Sequence, residues 1–199
     1  MIGRTDVTAA LAIALFVLAL IGFGTAVDGY SQALHPPALL GGQGQPGALA
    51  FNLLGYVVPG LLAAVVMFAL RGRLELARWP ARIGSWMWLL SALAFAAQGM
   101  LPLDPVDVEA TVGRLHATAW TLWWLSFAAG GVMLAAGLSS GRGLGGLRIA
   151  AGATAVLLPL FVLYAPLEMP TGISQRVGLA LWFTALLAAG LAARRAIQR

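Results

Sequence analysis

The chain has 199 residues, of which 60% are hydrophobic and only 10% charged, and its formal net charge is +5. Its mean hydropathy is +0.88. This composition excludes a soluble globular domain and favours an integral membrane protein. The positive charge does not indicate nucleic-acid binding, because the chain lacks a soluble basic face with stacking aromatic residues.

Six stretches of the chain are long and apolar enough to cross a bilayer as helices. A helix rises about 1.5 Å per residue, so about 20 apolar residues cross a hydrocarbon core of about 30 Å. No charged residue lies in the middle of any stretch, where it would be costly. The predicted helices are residues 7–27, 48–70, 83–101, 115–138, 149–167 and 177–193. We therefore predict an all-α polytopic membrane protein in which residues 1–199 form one compact bundle of six transmembrane helices.

Two features concern individual segments. Arg4, the apolar run after it and the small residues Gly24 and Ala26 also fit a cleaved signal peptide. The apolar run is longer than the core of a usual signal peptide, so we predict a retained membrane helix.

Pro59 and Pro159 predict a local bend or loosening of the second and fifth helices.

The arginines predict the orientation in the membrane. All twelve basic residues are arginine, and ten of them lie at the two termini and in the second and fourth connections. These ten are Arg4, Arg71, Arg73, Arg78, Arg82, Arg142, Arg148, Arg194, Arg195 and Arg199. Only Arg114 and Arg176 lie on the other side. The positive-inside rule then predicts a multi-pass protein of the cell (inner) membrane with both termini in the cytoplasm.

The three connections on the predicted external side concentrate the remaining polar chemistry. The first, from Asp28 to Gly47, is about 20 residues long and rich in Gly, Pro and Gln, as functional loops often are. Both histidines and five of the seven carboxylates belong to this side. These residues are Asp28, His35, Asp104, Asp107, Glu109, His116 and Glu168. Similar fragments, LPLDP and APLEMP, suggest repeated hairpins, although chance similarity is an equal alternative in so apolar a chain.

Helical spacing places several polar and aromatic side chains on common stripes near this side. The stripes are Asn52 and Tyr56; Ser91, Phe95, Gln98 and Pro102; His116, Trp120, Trp123 and Phe127; Thr154, Phe161, Tyr164 and Glu168; and Gln175, Gly178 and Trp182. Polar side chains at this depth face the bundle interior because lipid offers them no partner. The stripes predict a polar pocket, while the tryptophans have an alternative interpretation as an interfacial belt.

The stretches DGYSQALHPP, FNLLGYVVPG, LPLDP, GRLHA and GISQR resemble, in order and spacing, the bacterial and archaeal membrane proteins grouped as domain of unknown function 998. The resemblance runs from about Asp28 to Gly190. It implies a six-helix membrane protein and no particular activity. One departure is that Leu101 and Pro102 stand where the family often has Phe-Pro. The positions that match are Tyr30, Ser31, His35, Asn52, Asp104, His116, Gln175 and Arg176.

We hypothesise a membrane enzyme that acts on a lipid or amphiphile at the external face. The predicted catalytic residues are His116, Asp104, His35 and Glu168, because imidazoles and carboxylates serve as proton donors and acceptors. The same chemistry suggests a divalent metal held by His35, His116 and Asp104, with activated water as the nucleophile. The predicted substrate-binding residues are Tyr30, Ser31, Asn52, Tyr56, Gln98, Trp120, Trp123, Tyr164, Gln175 and Arg176.

Other functions stay open. The chain has no HExxH motif, no nucleophile elbow around Ser31 and no cysteine, so no enzyme motif is diagnostic. His116 and His35 also have structural interpretations, as a helix-start residue and as a loop residue before Pro-Pro. The alternatives are a lipid- or quinone-binding or transport protein and a non-catalytic subunit of a membrane complex. The expected partners are membrane lipids and a lipid-like small molecule, not nucleic acid. Haem electron transfer is disfavoured, because two histidines on one side supply at most one bis-ligated haem.

Overall fold

The computed structural model describes residues 4–107, 109–139, 141 and 143–194, and its long elements are all helices. Six of these helices are long and apolar enough to cross a membrane, which confirms the predicted all-helical bundle of six such helices. They are α1 (Thr5–Ala26), α2 (Ala48–Arg73), α3 (Trp79–Met100), α4 (Thr111–Gly137), α5 (Gly145–Leu167) and α6 (Thr171–Arg194). Arg142, Arg195 and Arg199, which the orientation prediction counts, lie outside the described residues.

The helices extend beyond the predicted apolar segments, mainly at their starts. Helix α3 begins at Trp79 and α6 at Thr171, four and six residues before the predicted positions 83 and 177. The first turn of a helix tolerates proline and polar residues because its N–H groups have no partner within the helix. Pro80 accordingly occupies the first turn of α3. Hydropathy therefore locates the apolar part of each helix and misses its polar first turn.

The helices are arranged in a ring. Each one packs against the next in sequence, α6 returns to α1, and α2 also contacts α6. Residues 27–47, 101–107, 109–110 and 168–170 form what we call the loop end of the bundle. Backbone hydrogen bonds join the first connection to the second, from Gln43 N–H to Leu103 O (2.8 Å), and to the start of α6, from Ile173 N–H to Ala33 O (3.0 Å). The opposite, terminal end carries residues 4 and 194, the connection 74–78 and the described residues of the next connection, 138–139, 141 and 143–144.

The α3–α4 interface is the most extensive helix pair, and glycines allow its backbones to come close. A Cβ atom on Gly84 would lie 2.6 Å from the carbonyl oxygen of Gly130. A Cβ atom on Gly137 would lie 2.3 Å from the backbone nitrogen of Ala81. Since backbone lies on the far side of each contact, neither position has room for a larger side chain.

Aromatic side chains from four of the helices, together with Tyr56 of α2, fill the centre of the ring. Phe95 of α3 stacks on Trp182 of α6, with ring centroids 4.7 Å apart, and also contacts Phe16 and Trp123. Two hydrogen bonds cross this core: Trp182 Nε1–H donates to Ser91 Oγ (3.1 Å), and that hydroxyl donates to the carbonyl of Trp123 (2.9 Å).

The two prolines lie next to π-helical turns, which confirms the predicted local irregularities. Residues Asn52–Val57 of α2 precede Pro59, and residues Leu160–Tyr164 of α5 follow Pro159. Proline lacks the N–H that would donate to the carbonyl four residues earlier, so it interrupts the regular hydrogen-bond ladder of a helix. In α5 the carbonyl of Phe161 receives a hydrogen bond from the buried hydroxyl of Ser174 on α6. The irregular turn is thereby tied to the neighbouring helix.

Candidate functional site

His116 closes the end of α3. Its buried ring lies in the second turn of α4, and Nδ1 is 2.7 Å from the carbonyl oxygen of Leu101, just beyond the last residue of α3. A carbonyl oxygen can only accept, so Nδ1 carries the proton and donates. The last carbonyls of a helix lack partners within that helix. His116 supplies one such partner, so its Nδ1 is engaged by a backbone carbonyl and not by the Asp104 or Glu168 carboxylate that its structural interpretation named.

The predicted acid Asp104 shapes its own loop. Its Oδ1 accepts hydrogen bonds from the backbone N–H groups of Val106 (2.9 Å) and Asp107 (3.1 Å). The N–H of Asp107, and then that of Val106, lower the pKa of Asp104 below its usual range, so the carboxylate is ionised at neutral pH. Asp107 makes the same kind of turn with the N–H groups of Glu109 and Ala110. These carboxylates order the backbone before α4.

His35 is held within a turn of the first connection. Its Nδ1 accepts a hydrogen bond from the backbone N–H of Ser31 (3.0 Å), while Ser31 Oγ accepts one from the N–H of Leu34 (3.3 Å). The side chains of Ser31 and His35 therefore both stabilise this turn by accepting hydrogen bonds from its backbone. The side chain of Glu168 is exposed at the end of α5.

The predicted metal ligands do not lie together in the structure. Across residues 4–107, 109–139, 141 and 143–194, no three His, Asp or Glu side chains form a group that could hold a metal ion. His35, His116 and Asp104 are instead bound by three different segments of backbone. Spacing along the sequence could not reveal these local partners.

The predicted substrate-binding residues on α2, α3 and α4 are mostly interior. Asn52 Nδ2 donates to the carbonyl of Gly41 (2.8 Å) and fixes the first connection, while Tyr56 packs within the aromatic core. Gln98 is 1% exposed, and both its amide atoms lack a hydrogen-bond partner among the described residues. Trp123 is equally buried, with Trp120 packed against it.

On α5 and α6 the predicted residues divide between surface and interior. Tyr164 is 68% exposed, and Gln175 is half-buried in the second turn of α6. Arg176 is also half-buried, but it is the centre of a polar cluster that joins α6 to the first connection.

We define the arginine cluster as Arg176, Tyr30, Gln32 and the carbonyls of His35 and Gly172. Nε and Nη2 of Arg176 donate to Oε1 of Gln32 (3.1 and 2.6 Å), and Nη2 also donates to the hydroxyl of Tyr30 (2.7 Å). Nη1 donates to the two carbonyl oxygens (2.9 and 2.8 Å). All five N–H groups of the guanidinium are thus used, and each acceptor is uncharged.

Two sequence-predicted residues, Tyr30 and Arg176, meet in this cluster, whereas Gln32 was missed. Gln32 also donates from Nε2 to the carbonyl of Leu20 (3.0 Å), so it links α1 to α6 through Arg176. Burial raises the pKa of Tyr30 above its usual value, and nearby Arg176 only partly opposes this effect. Tyr30 is therefore a neutral phenol at physiological pH. Gln32 lies 144 positions from Arg176, and no local sequence pattern signals such a pair.

A groove runs along the seam between α1 and α6 and ends at the arginine cluster. The seam is closed at the terminal end, where Thr5 Oγ1 donates to the carbonyl of Gly190 (2.7 Å) and Arg194 pairs with Asp6 (2.5 Å). Beyond this contact the groove has a volume of about 530 Å³. Its lining residues are Ile13, Phe16, Val17, Leu20, Ile21, Gln32, Arg176, Leu179, Ala180, Phe183, Thr184 and Leu187.

The groove has an apolar floor and rim and a single charged end. Phe16, Leu179 and Phe183 are buried in its floor, while Val17 and Ile21 are exposed at its rim. The sequence offered no signal for this feature because α1 is apolar on every side, so periodicity cannot distinguish a concave face from a convex one.

A second cavity of similar volume, about 550 Å³, lies at the loop end between α2 and α3. It is lined partly by loop residues, including Gly42, Gln43 and Pro102, and by no charged side chain. The α1–α6 groove differs because apolar side chains of two helices line its length and the guanidinium of Arg176 lies at one end.

Comparison of the chain with protein-family models, with curated proteins and with solved structures gives no match. The resemblance to domain of unknown function 998 accordingly stays a prediction based on the motifs quoted above.

Proposed function

We propose that this membrane protein binds an amphiphilic lipid-like molecule in the α1–α6 groove. The observation that carries the proposal is an apolar groove of about 530 Å³ with Arg176 and Gln32 at one end and aliphatic or aromatic side chains along its length. Small-molecule sites have this character: a mostly apolar lining, a few placed polar groups and a volume of about 300–1,000 Å³. An amphiphile matches both parts, with its tail along the helices and its headgroup at the loop end.

The length of the groove supports a ligand that lies in one leaflet. On α6 the lining runs from Arg176 to Leu187, and on α1 from Ile21 to Ile13. At about 1.5 Å per residue the α6 stretch is about 16 Å long. That is about half of a hydrocarbon core of about 30 Å. A molecule whose headgroup lies at the loop-end surface and whose tail reaches the middle of the bilayer would fill this length.

Binding is better supported than catalysis or transport. The histidines and Asp104 are engaged by separate backbone segments, so no convergent acid–base set supports an enzyme. Transporters usually place coupling sites near the midplane, and no charged residue lies in the middle of any of the six helices. A binding role needs only the groove and its polar end.

Filling the groove should weaken binding. In Ala180→Trp an indole replaces an exposed methyl group on the groove wall, so we expect photolabelling by an alkyl-diazirine lipid to fall about tenfold, or about 1.4 kcal/mol of affinity. Ala153→Trp is the matched control, because Ala153 is also exposed on a membrane helix and lies outside the groove lining. Quantitative mass spectrometry of the adducts provides the measurement. Equal labelling of the two variants would argue against the proposal.

We further propose that the protein lies in the cell (inner) membrane with both termini in the cytoplasm, so that the groove opens to the extracytoplasmic leaflet. Ten of the twelve arginines belong to the terminal side of the sequence pattern, as the positive-inside rule requires. The α1–α6 groove would then sample lipids of the outer leaflet of that membrane.

Single cysteines test this orientation, because the natural chain has none. Val106 at the loop end is 94% exposed and Leu76 at the terminal end is 100% exposed. In intact spheroplasts a membrane-impermeant maleimide should label Val106→Cys and leave Leu76→Cys unmodified until the membrane is permeabilised. Labelling of Leu76→Cys but not of Val106→Cys in intact spheroplasts would contradict the proposed topology.

A further inference from the structure

The charge of Arg176 has no anionic partner in the part of the chain that the structure describes. The ion pairs found there are Arg71–Glu75 and Arg194–Asp6, so no carboxylate lies within salt-bridge distance of Arg176. Its five N–H groups bind neutral oxygens instead. These bonds satisfy the donors but leave one full positive charge beside the groove.

The surroundings of Arg176 also favour a positive potential. Tyr30 stays neutral at physiological pH because burial raises its pKa, so it does not compensate the guanidinium. The Arg176 side chain is only half-buried, which leaves its charge open to a ligand in the groove.

A charge at this depth acts more strongly than one in bulk water. The groove beneath it is lined almost wholly by apolar side chains, and a low dielectric medium lengthens the reach of a Coulombic interaction. The guanidinium can attract a headgroup without giving up its existing hydrogen bonds. This differs from a bidentate site, where the arginine must hold its ligand directly.

We propose that the groove selects amphiphiles with an anionic headgroup, the headgroup lying beside Arg176 and the alkyl chain along α1 and α6. The inference rests on the proposed function and adds the charge class of the ligand. Its supports are the charge complementarity at the loop end, the apolar length below it and the absence of a competing carboxylate among the described neighbours.

Three photoreactive probes with one alkyl chain and different headgroups test the selection. The headgroups are sulfonate, hydroxyl and trimethylammonium, none of which changes its charge near neutral pH. With the full-length protein in neutral lipid nanodiscs, the sulfonate should label the groove at about tenfold lower concentration than the alcohol, and the ammonium should label it least. High salt should reduce the advantage of the sulfonate.

Two variants separate the possible results. Arg176→Lys keeps the charge and should keep the order of the three probes, whereas Arg176→Gln should make the sulfonate and the alcohol equal. If Arg176→Gln does not fold, comparing how strongly the three probes label the natural protein still tests the anionic preference. Equal labelling by all three probes, all blocked by Ala180→Trp, would overturn the anionic preference while the groove function stands. Labelling that Ala180→Trp does not change would overturn the groove function itself.

Discussion

Replacing Gly84 with valine should be among the most damaging single changes in this protein. The new Cβ would lie 2.6 Å from the carbonyl oxygen of Gly130 and 2.9 Å from the backbone nitrogen of Leu134. Both atoms belong to the backbone of α4, so relief requires the two helices to separate. Overpacking typically costs 1–3 kcal/mol, and a contact with backbone belongs at the upper end, so we expect a loss of about 3 kcal/mol.

Gly22→Val is the matched control for this substitution. Gly22 is an exposed glycine on α1, and its added Cβ would have no neighbour within 4 Å. Thermal unfolding in detergent, followed by circular dichroism and by retention of the monodisperse peak, compares the two variants. If Gly84→Val unfolded at the same temperature as Gly22→Val, this result would show that α3 and α4 do not pack as closely as described.

Arg176→Gln should release the first connection from α6. The substitution removes a charged donor from Gln32, from Tyr30 and from the carbonyls of His35 and Gly172. Hydrogen bonds to charged groups contribute about 1.5–3 kcal/mol each, but the cluster is half-exposed, so we expect a net loss of about 3 kcal/mol.

Residues 28–47 contain no Lys or Arg, so chymotrypsin or thermolysin is the suitable probe of their release. Cleavage within this connection should accelerate in Arg176→Gln before the bundle itself unfolds. The control is Arg114→Gln, which removes the other arginine of the loop-end sequence pattern from an exposed position. Identical cleavage rates in the two variants would mean that the arginine cluster does not hold the connection.

The fold was predictable because each membrane helix leaves a long apolar run in the sequence. A helix needs about 20 such residues to cross a bilayer, and its backbone hydrogen bonds lie within the same segment. Both requirements concern residues that are close in sequence, so the sequence alone reveals them. The first turns were missed because they are polar or contain proline, as at Pro80 in α3. The π-helical turns were anticipated only as irregularities near Pro59 and Pro159.

The candidate site was predictable only in part, because its contacts are tertiary. The motif resemblance, together with the polar residues at helix ends, pointed to Tyr30 and Arg176, which do meet. The same reasoning predicted functional roles for His116 and Asp104, whose nearest partners are backbone groups. Spacing gives the face of a helix but not the loop that folds over it, so Gln32 could not be found.

The groove escaped prediction for a different reason. Its lining on α1 is an ordinary apolar sequence, and a lipid-facing helix shows the same residues whether its surface is concave or convex. Near the terminal end α1 and α6 pack closely, because a Cβ atom on Gly190 would lie 2.8 Å from the carbonyl oxygen of Thr5, and the groove lies beyond this contact. That geometry depends on small residues in both helices, and it is read only from the assembled bundle.

The most direct measurement of the central claim is the position of photoadducts from an alkyl-diazirine lipid on the natural protein in nanodiscs. We expect adducts on α1 and α6, concentrated at groove residues such as Val17, Ala180 and Thr184. Adducts spread evenly over the lipid-facing surfaces of all six helices, or concentrated at Leu49 and Met100 in the loop-end cavity, would contradict it.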